Sequence, residues 1–208
     1  MPAEEIPQSS PSTLDGDSDE PFAWLRSLPA VKYPLDGPQG RNVAARIDAL
    51  TAEAKVLGLE VPPEFKIFMT DADLYGKVPT SACCYLDLPS RLVPLPDVNG
   101  IPVPGRLLRF LNDQQYASLW YLHLLPGKQY EVVVASPIWS EVEEHDVPLE
   151  DKIATFDWIS NCADSLEEFV WEFWSENRLW FNRQGWELDE SESETDVDTV
   201  QEGEERTE

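Results

Sequence analysis

Histidine and cysteine are scarce in this chain, and their scarcity limits the chemistry that it can carry. The two histidines are His123 and His145, and the three cysteines are Cys83, Cys84 and Cys162. An odd number of cysteines, two of them adjacent, gives no disulfide framework, and no C-x-x-C pair is present to bind zinc. We therefore expect buried, reduced cysteines in a cytoplasmic protein and no metal site.

The motifs of common catalytic sites are also missing. The sequence contains no G-x-S-x-G turn, no glycine-rich phosphate loop and no H-E-x-x-H motif. Cys162 and His123 could form a nucleophile and base only if the fold joined them, and the sequence gives no reason to pair them. The acidic loop around His145 lacks the spacing of a calcium loop. The pattern favours a protein that is not an enzyme and uses no cofactor.

Basic residues are outnumbered, with 15 Lys and Arg against 40 Asp and Glu, which gives a net charge of −25. Residues 1–20 hold six acids and no base, and residues 187–208 hold eleven acids and one base. The intervening segment, 21–186, therefore carries −9. Without a basic stripe, nucleic acid and anionic membranes are poor partners. A basic protein partner would instead be steered towards the chain.

Long apolar runs are absent, since none approaches the roughly 20 residues of a membrane-spanning helix. The first ten residues lack the basic and apolar regions of a secretory signal. Residues 1–20 and 187–208 are acidic and poor in apolar side chains, so we expect both segments to be disordered. The eight Trp, eight Phe and six Tyr of the chain predict one packed domain over 21–186.

Helical periodicity appears at both ends of this domain. Residues 21–29 predict a short apolar anchor, and residues 41–57 predict a helix that ends before Gly58. A second helix is predicted to begin at Pro63. Near the other end, Ser165 and Glu168 form a capping box at the start of the last helix. That helix places these apolar residues on one broad face: Leu166, Phe169, Val170, Phe173, Trp180 and Phe181.

The middle of the domain has the alternation and turns of a sheet. Strands are predicted over 106–111, 116–125 and 130–135, with the second buried on both faces and a turn at 126–128. The stretch 78–106 is rich in proline, which predicts edge strands or loops. The sequence does not define the role of the segment 86–105 within it. The order predicts an α+β fold, a mostly antiparallel sheet with N- and C-terminal helices packed on it.

Three segments of the domain carry a family resemblance. They are "AKVLGLEVPPEFKIFM" (54–69), "LRFLNDQQYASLWYL" (108–122) and "DSLEEFVWEFW" (164–174). The sequences of these segments and their order along the chain resemble those of the SUKH superfamily. This superfamily includes bacterial toxin-immunity proteins and fungal cell-wall regulators. The resemblance implies an α+β domain that binds proteins without catalysis, neutralising a toxin or regulating a partner.

Two tryptophans of the last helix are candidates for contact with a partner. At 100° per residue, Trp171 lies about 140° and Trp174 about 80° around the helix from Leu166. Either a neighbouring element covers both rings, or they are exposed anchors of a protein interface, where tryptophan is enriched. The expectation for an anchor is that Trp171→Ala weakens binding with little effect on stability.

Polar residues of two loops have two interpretations as well. Asp113, Gln114 and Gln115 either set the turn before a strand or form a polar patch that contacts a partner. The acids of the loop 141–146 are either simply solvated or an electrostatic landing site for a basic partner. These acids are Glu141, Glu143, Glu144 and Asp146.

Three functional hypotheses follow from these observations. An immunity protein predicts one tight, basic partner, whereas a regulatory scaffold predicts several weak partners and dependence on the acidic ends. An unrecognised enzyme predicts a deep pocket with perturbed titratable groups. The sequence favours the protein-binding hypotheses and leaves the partner and the oligomeric state open.

Overall fold

A computed structural model describes residues 20–38, 42–95, 103–135 and 159–188, and within these ranges it is an α+β domain. The helices are α1 (Ala23–Arg26), α2 (Val43–Val56), α3 (Pro63–Thr70), α4 (Ala72–Tyr75) and α5 (Leu166–Gln184). The strands are β1 (Tyr85–Leu86), β2 (Val93–Pro94), β3 (Arg106–Asn112), β4 (Leu119–Leu125), β5 (Gln129–Ala135) and β6 (Ser160–Ala163). The predicted α+β class is confirmed.

The described strands form one antiparallel sheet in the order β1-β3-β4-β5-β6. The short strand β2 pairs with the same edge of β3 as β1, at its other end, so the proline-rich segment supplies the predicted edge strands. The hairpin of β4 and β5 is in continuous register from Leu119 and Ala135 to Leu125 and Gln129. Gly127 and Lys128 make its turn with positive φ angles of 81° and 65°.

The sheet is buried on both faces, because its strands alternate side chains between two apolar clusters. In β4, Leu122 and Leu124 join the larger cluster under the helices, while Leu119 and Tyr121 join a smaller cluster on the other face. The register of β3 shifts between Arg109 and Leu111, which marks a bulge. This arrangement agrees with the prediction that β4 is buried on both faces.

Helix α2 begins and ends close to the predicted residues, and α3 begins at Pro63 as predicted. Pro63 occupies the first position of α3. A backbone N–H at this position has no acceptor within the helix, so proline, which lacks the N–H, costs the helix no hydrogen bond. The sequence did not predict α4, which spans only four residues and starts where the Asp71 carboxylate accepts a hydrogen bond from Asp73 N. The β6 strand was not predicted either.

Helix α5 lies against the sheet and is closed at both ends. Ser165 Oγ accepts a hydrogen bond from Glu168 N at 3.1 Å, as the capping box predicts. The Glu168 carboxylate accepts from Asp164 N, one residue before the expected donor. Beyond the predicted boundary at Trp186, Leu188 is buried, and its carbonyl oxygen accepts from Lys32 N at 2.8 Å.

Candidate protein-binding surface

Three large aromatic side chains lie exposed together beside the C-terminal end of α5. Tyr33 is 43 %, Trp180 40 % and Trp186 50 % exposed, although the rings contact one another. We call these three residues the aromatic surface. Exposed aromatic side chains that cluster in this way are characteristic of protein interfaces, whereas single exposed apolar residues are common on any protein.

The aromatic surface is built on a buried ring. Phe181 is 2 % exposed and stacks on Tyr33 with 5.2 Å between ring centroids and 3° between planes. Trp186 lies 5.6 Å from Tyr33, 5.9 Å from Trp180 and 5.8 Å from Phe181, so each exposed ring has at least two aromatic neighbours. Because neighbouring rings restrict rotation, the surface is ordered before a partner binds, which lowers the entropy lost on binding.

Backbone contacts bring these distant residues together. Gly185, with φ of 71°, reverses the chain after α5, and Trp186 N donates to Phe181 O at 3.1 Å. On the other side, Thr80 N donates to Tyr33 O at 3.0 Å. The surface therefore joins Tyr33 and Trp186, which lie about 150 residues apart in sequence.

Negative charge adjoins the aromatic surface. Glu187 follows Trp186 directly and makes an exposed ion pair of 3.8 Å with Lys32. The chain then continues into residues 189–208, which hold ten acids and one base. The sequence that follows the aromatic surface is therefore strongly acidic.

A pocket of about 390 Å³ lies between α5 and the sheet. We call it the Trp120 pocket. Its apolar wall consists of Trp120, Phe169 and Phe173, whose ring centroids lie 5.8 to 6.3 Å apart. Glu172 and Glu176 of α5 also line it. The pocket thus combines an aromatic wall with two glutamates, and two of its rings, Phe169 and Phe173, lie on the same helix as those glutamates.

Asn177 fixes one side of the Trp120 pocket. Its Oδ1 accepts hydrogen bonds from Ser81 N at 2.7 Å and Ser81 Oγ at 2.8 Å, and its Nδ2 donates to Phe173 O. Ser81 follows Thr80, the residue that binds the Tyr33 backbone. Glu176 and Trp180 stand four residues apart on α5 and so lie on one helical face. The pocket and the aromatic surface therefore share helix α5, and hydrogen bonds of Asn177 and Thr80 connect them.

The cysteines of the pocket are poorly suited to nucleophilic chemistry. Burial raises the pKa of Cys84 to about 11, and burial also raises the pKa of Cys162. Both thiols are therefore protonated at neutral pH, and the protonated form is the unreactive one. The expectation of buried cysteines is right for Cys84 and wrong for Cys83, which is exposed in the segment before β1.

On the interior strand β4, both ring nitrogens of His123 lie within hydrogen-bond distance of an oxygen atom. Its Nδ1 lies 2.9 Å from Glu131 Oε1 on the neighbouring strand, and its Nε2 lies 3.1 Å from Pro104 O. It is not among the residues that line the Trp120 pocket with Cys162. His145 lies outside the residues that the structure describes.

Trp174 is not an exposed anchor, and the alternative, a ring covered by a neighbouring element, is correct for this residue. It is 3 % exposed, and Trp24 of α1 covers it in an edge contact of 5.9 Å. The guanidinium of Arg178 lies 5.3 Å from the centre of the Trp174 ring. Trp171 is half-buried on α5, and its role in partner binding stays a prediction.

The residues before β4 set a turn. Asp113 Oδ1 accepts a hydrogen bond from Ala117 N at 2.6 Å, and Asp113 N donates to Ser118 O. Gln114 and Gln115 are exposed beside it, which leaves their contact with a partner a prediction. The predicted acidic landing site, Glu141, Glu143, Glu144 and Asp146, lies outside the described residues.

Sequence reasoning missed the aromatic surface. It assigned Trp180 to the buried face of α5, and it gave Tyr33 and Trp186 no role. The available signal was the spacing of Trp180 and Trp186 around Gly185, which predicts a helix end with aromatic residues on both sides. Their exposure depends on contacts between distant segments, which periodicity does not show.

Comparison with known proteins identifies no relative. No family model matches the chain, no curated protein matches its sequence at a significant level, and no solved structure matches its fold at a significant level.

Within the described ranges, no helix has the length and apolarity to cross a membrane. The same residues contain no group of three or more metal-binding side chains.

Proposed function

We propose that this protein is a non-catalytic protein-binding module of the SUKH type, which neutralises or regulates a basic protein partner in the cytoplasm. The observation that carries the proposal is the aromatic surface, three ring systems that remain 40 to 50 % exposed while contacting one another. Such rings supply large contact areas at a small entropic penalty, because each has only two side-chain torsions.

The distribution of charge supports a basic partner. Ten acids in residues 189–208 follow the aromatic surface, and the whole chain carries −25. Charge complementarity of this kind accelerates association and disfavours acidic competitors. The rings would then provide the short-range contacts that slow dissociation.

The test begins with the full chain as bait in an extract of its native source, followed by purification of the captured protein. Affinity is then measured for the wild type and for a Trp180→Ala, Trp186→Ala double variant. We expect the double variant to bind roughly 10²- to 10³-fold more weakly, since buried interface tryptophans contribute roughly 2 kcal/mol each and about 1.4 kcal/mol corresponds to a tenfold change. Because both rings are partly exposed, the fold should persist, as circular dichroism can verify.

Leu57→Ala is the control, since Leu57 is an apolar residue 43 % exposed at the end of α2 and belongs to no candidate binding segment. The control should leave affinity unchanged. Equal affinity of all three proteins would overturn the aromatic surface as the binding site. A detected catalytic turnover of any captured molecule would overturn the non-catalytic assignment.

A second variant distinguishes an immunity protein from a scaffold. It keeps the full length and replaces the ten acids of residues 189–208 by Asn and Gln. An immunity protein should keep its one tight partner and lose mainly association rate at low salt. A scaffold should lose several weak partners. Salt should slow association of the wild type in the first case, because screening weakens steering.

A further inference from the structure

The Trp120 pocket contains features that attract a cation. Trp120, Phe169 and Phe173 form an aromatic wall in which each ring contacts the other two. Aromatic faces carry partial negative charge and bind ammonium groups, and cages of two or three rings are a recurring solution for alkylated ammonium ligands. The pocket volume of about 390 Å³ exceeds what one basic side chain fills.

The acidic side of the pocket adds a second attraction. Glu172 and Glu176 lie one helical turn apart, and among the described residues neither carboxylate makes an ion pair. Burial, together with repulsion from Glu168 and Glu176, raises the pKa of Glu172. A cation placed between the rings and these carboxylates would relieve that repulsion.

We propose that the Trp120 pocket receives a lysine side chain of the protein partner, with its aliphatic stem against the rings and its ammonium group at Glu172 and Glu176. The inference rests on the proposed function, because the lysine belongs to the partner. The pocket and the aromatic surface share helix α5, and hydrogen bonds from Ser81 to Asn177 and from Thr80 to Tyr33 connect them, so we expect one partner to reach both. A lysine side chain has an apolar stem, which suits the aromatic rings of the pocket, and a charged ammonium group, which suits its carboxylates.

The first test uses a small probe and needs no partner. Nα-acetyl-lysine N-methylamide is titrated into the ¹⁵N-labelled full chain, and the indole N–H of Trp120 and the side-chain amide of Asn177 are followed by NMR. We expect saturable shifts at both groups. The neutral analogue, acetylated at Nε, should bind about tenfold more weakly, since it loses the cation–π and carboxylate contacts.

Two variants separate the contributions. The double variant Glu172→Gln, Glu176→Gln should bind the charged probe about tenfold more weakly. The control is the double variant Glu60→Gln, Asp73→Asn, which removes two exposed acids elsewhere and should bind the probe as the wild type does. Phe173→Leu keeps apolar volume and removes a ring face, so it should weaken binding about threefold. Equal binding of charged and neutral probes, or no saturable shift at Trp120, would overturn the proposal.

Spermidine tests whether a free amine is the true ligand. Binding of spermidine at least tenfold tighter than the lysine probe would assign the pocket to free polyamines and overturn the partner lysine. Failure here and failure of the proposed function are distinguishable. If Trp180→Ala with Trp186→Ala leaves partner affinity intact while the lysine probe binds, the aromatic surface fails alone. If the probe fails and the double variant loses the partner, the pocket proposal fails alone.

Discussion

At the scale of single residues, Gly105 is the position where the fold depends most directly on the absence of a side chain. Its φ angle is 98°, in the region that L side chains rarely adopt. A Cβ atom there would lie 2.3 Å from Leu124 O and 2.8 Å from His123 Nε2. The glycine allows the segment before β3 to pass close to the backbone of β4.

Gly105→Ala should therefore destabilise the protein by about 2 to 4 kcal/mol, combining backbone strain with a clash against a carbonyl group that cannot move alone. Gly127→Ala is the control, because Gly127 has φ of 81° and open space around its Cβ position. The control should lose only about 1 to 2 kcal/mol. Denaturant unfolding measures both, and equal losses would show that the close contact has no energetic effect.

The burial of Trp174 depends on a residue that is distant in sequence. Its helical angle placed it beside the core, where either solvent or a neighbour would complete its surroundings. The neighbour is Trp24, which lies 150 positions earlier in the chain. The pairing of two such distant residues depends on the whole fold, whereas the periodicity of α5 records only which side chains share a face.

At the scale of elements, one hydroxyl group caps the N-terminus of α5. Ser165 Oγ accepts from Glu168 N at 3.1 Å, and the same helix contributes to both the pocket and the aromatic surface. Ser165→Ala should reduce the free energy of unfolding by about 1 kcal/mol, since a backbone N–H loses its acceptor. Ser165→Asp keeps an acceptor oxygen and should restore most of the loss. Thermal unfolding of the three proteins measures the difference, and an unchanged alanine variant would contradict the cap.

Elements with local signals were predictable, and elements defined by their neighbours were not. The helix α5 and the hairpin of β4 and β5 have a cap, a turn and a clear period within their own residues. By contrast, β6 has the sequence "SNCA", which carries no apolar alternation and becomes a strand by pairing with the edge of β5. The aromatic surface was missed for the same reason, since Tyr33 and Trp186 meet only in the folded chain.

At the scale of the whole molecule, proton binding sets how stability depends on pH. Burial raises the pKa of Glu167, and burial with repulsion from neighbouring glutamates raises the pKa of Glu172. In the unfolded chain both carboxyl groups return to ordinary values. Between the ordinary and the raised pKa, the folded protein therefore binds more protons than the unfolded one, and its stability falls as the pH rises through that window.

The thermal midpoint should accordingly be higher at about pH 5 than at about pH 7.5, and a Glu167→Gln, Glu172→Gln double variant should show a smaller difference. Repulsion within a chain of net charge −25 acts in the same direction, but salt screens it. Measuring both proteins in about 0.1 M and about 1 M NaCl separates the causes, because the effect of burial on the pKa of Glu167 and Glu172 persists in high salt, whereas charge repulsion, including that at Glu172, is screened. A wild-type slope that vanishes in high salt would assign the effect to surface repulsion alone, and a midpoint that rises with pH would contradict both causes.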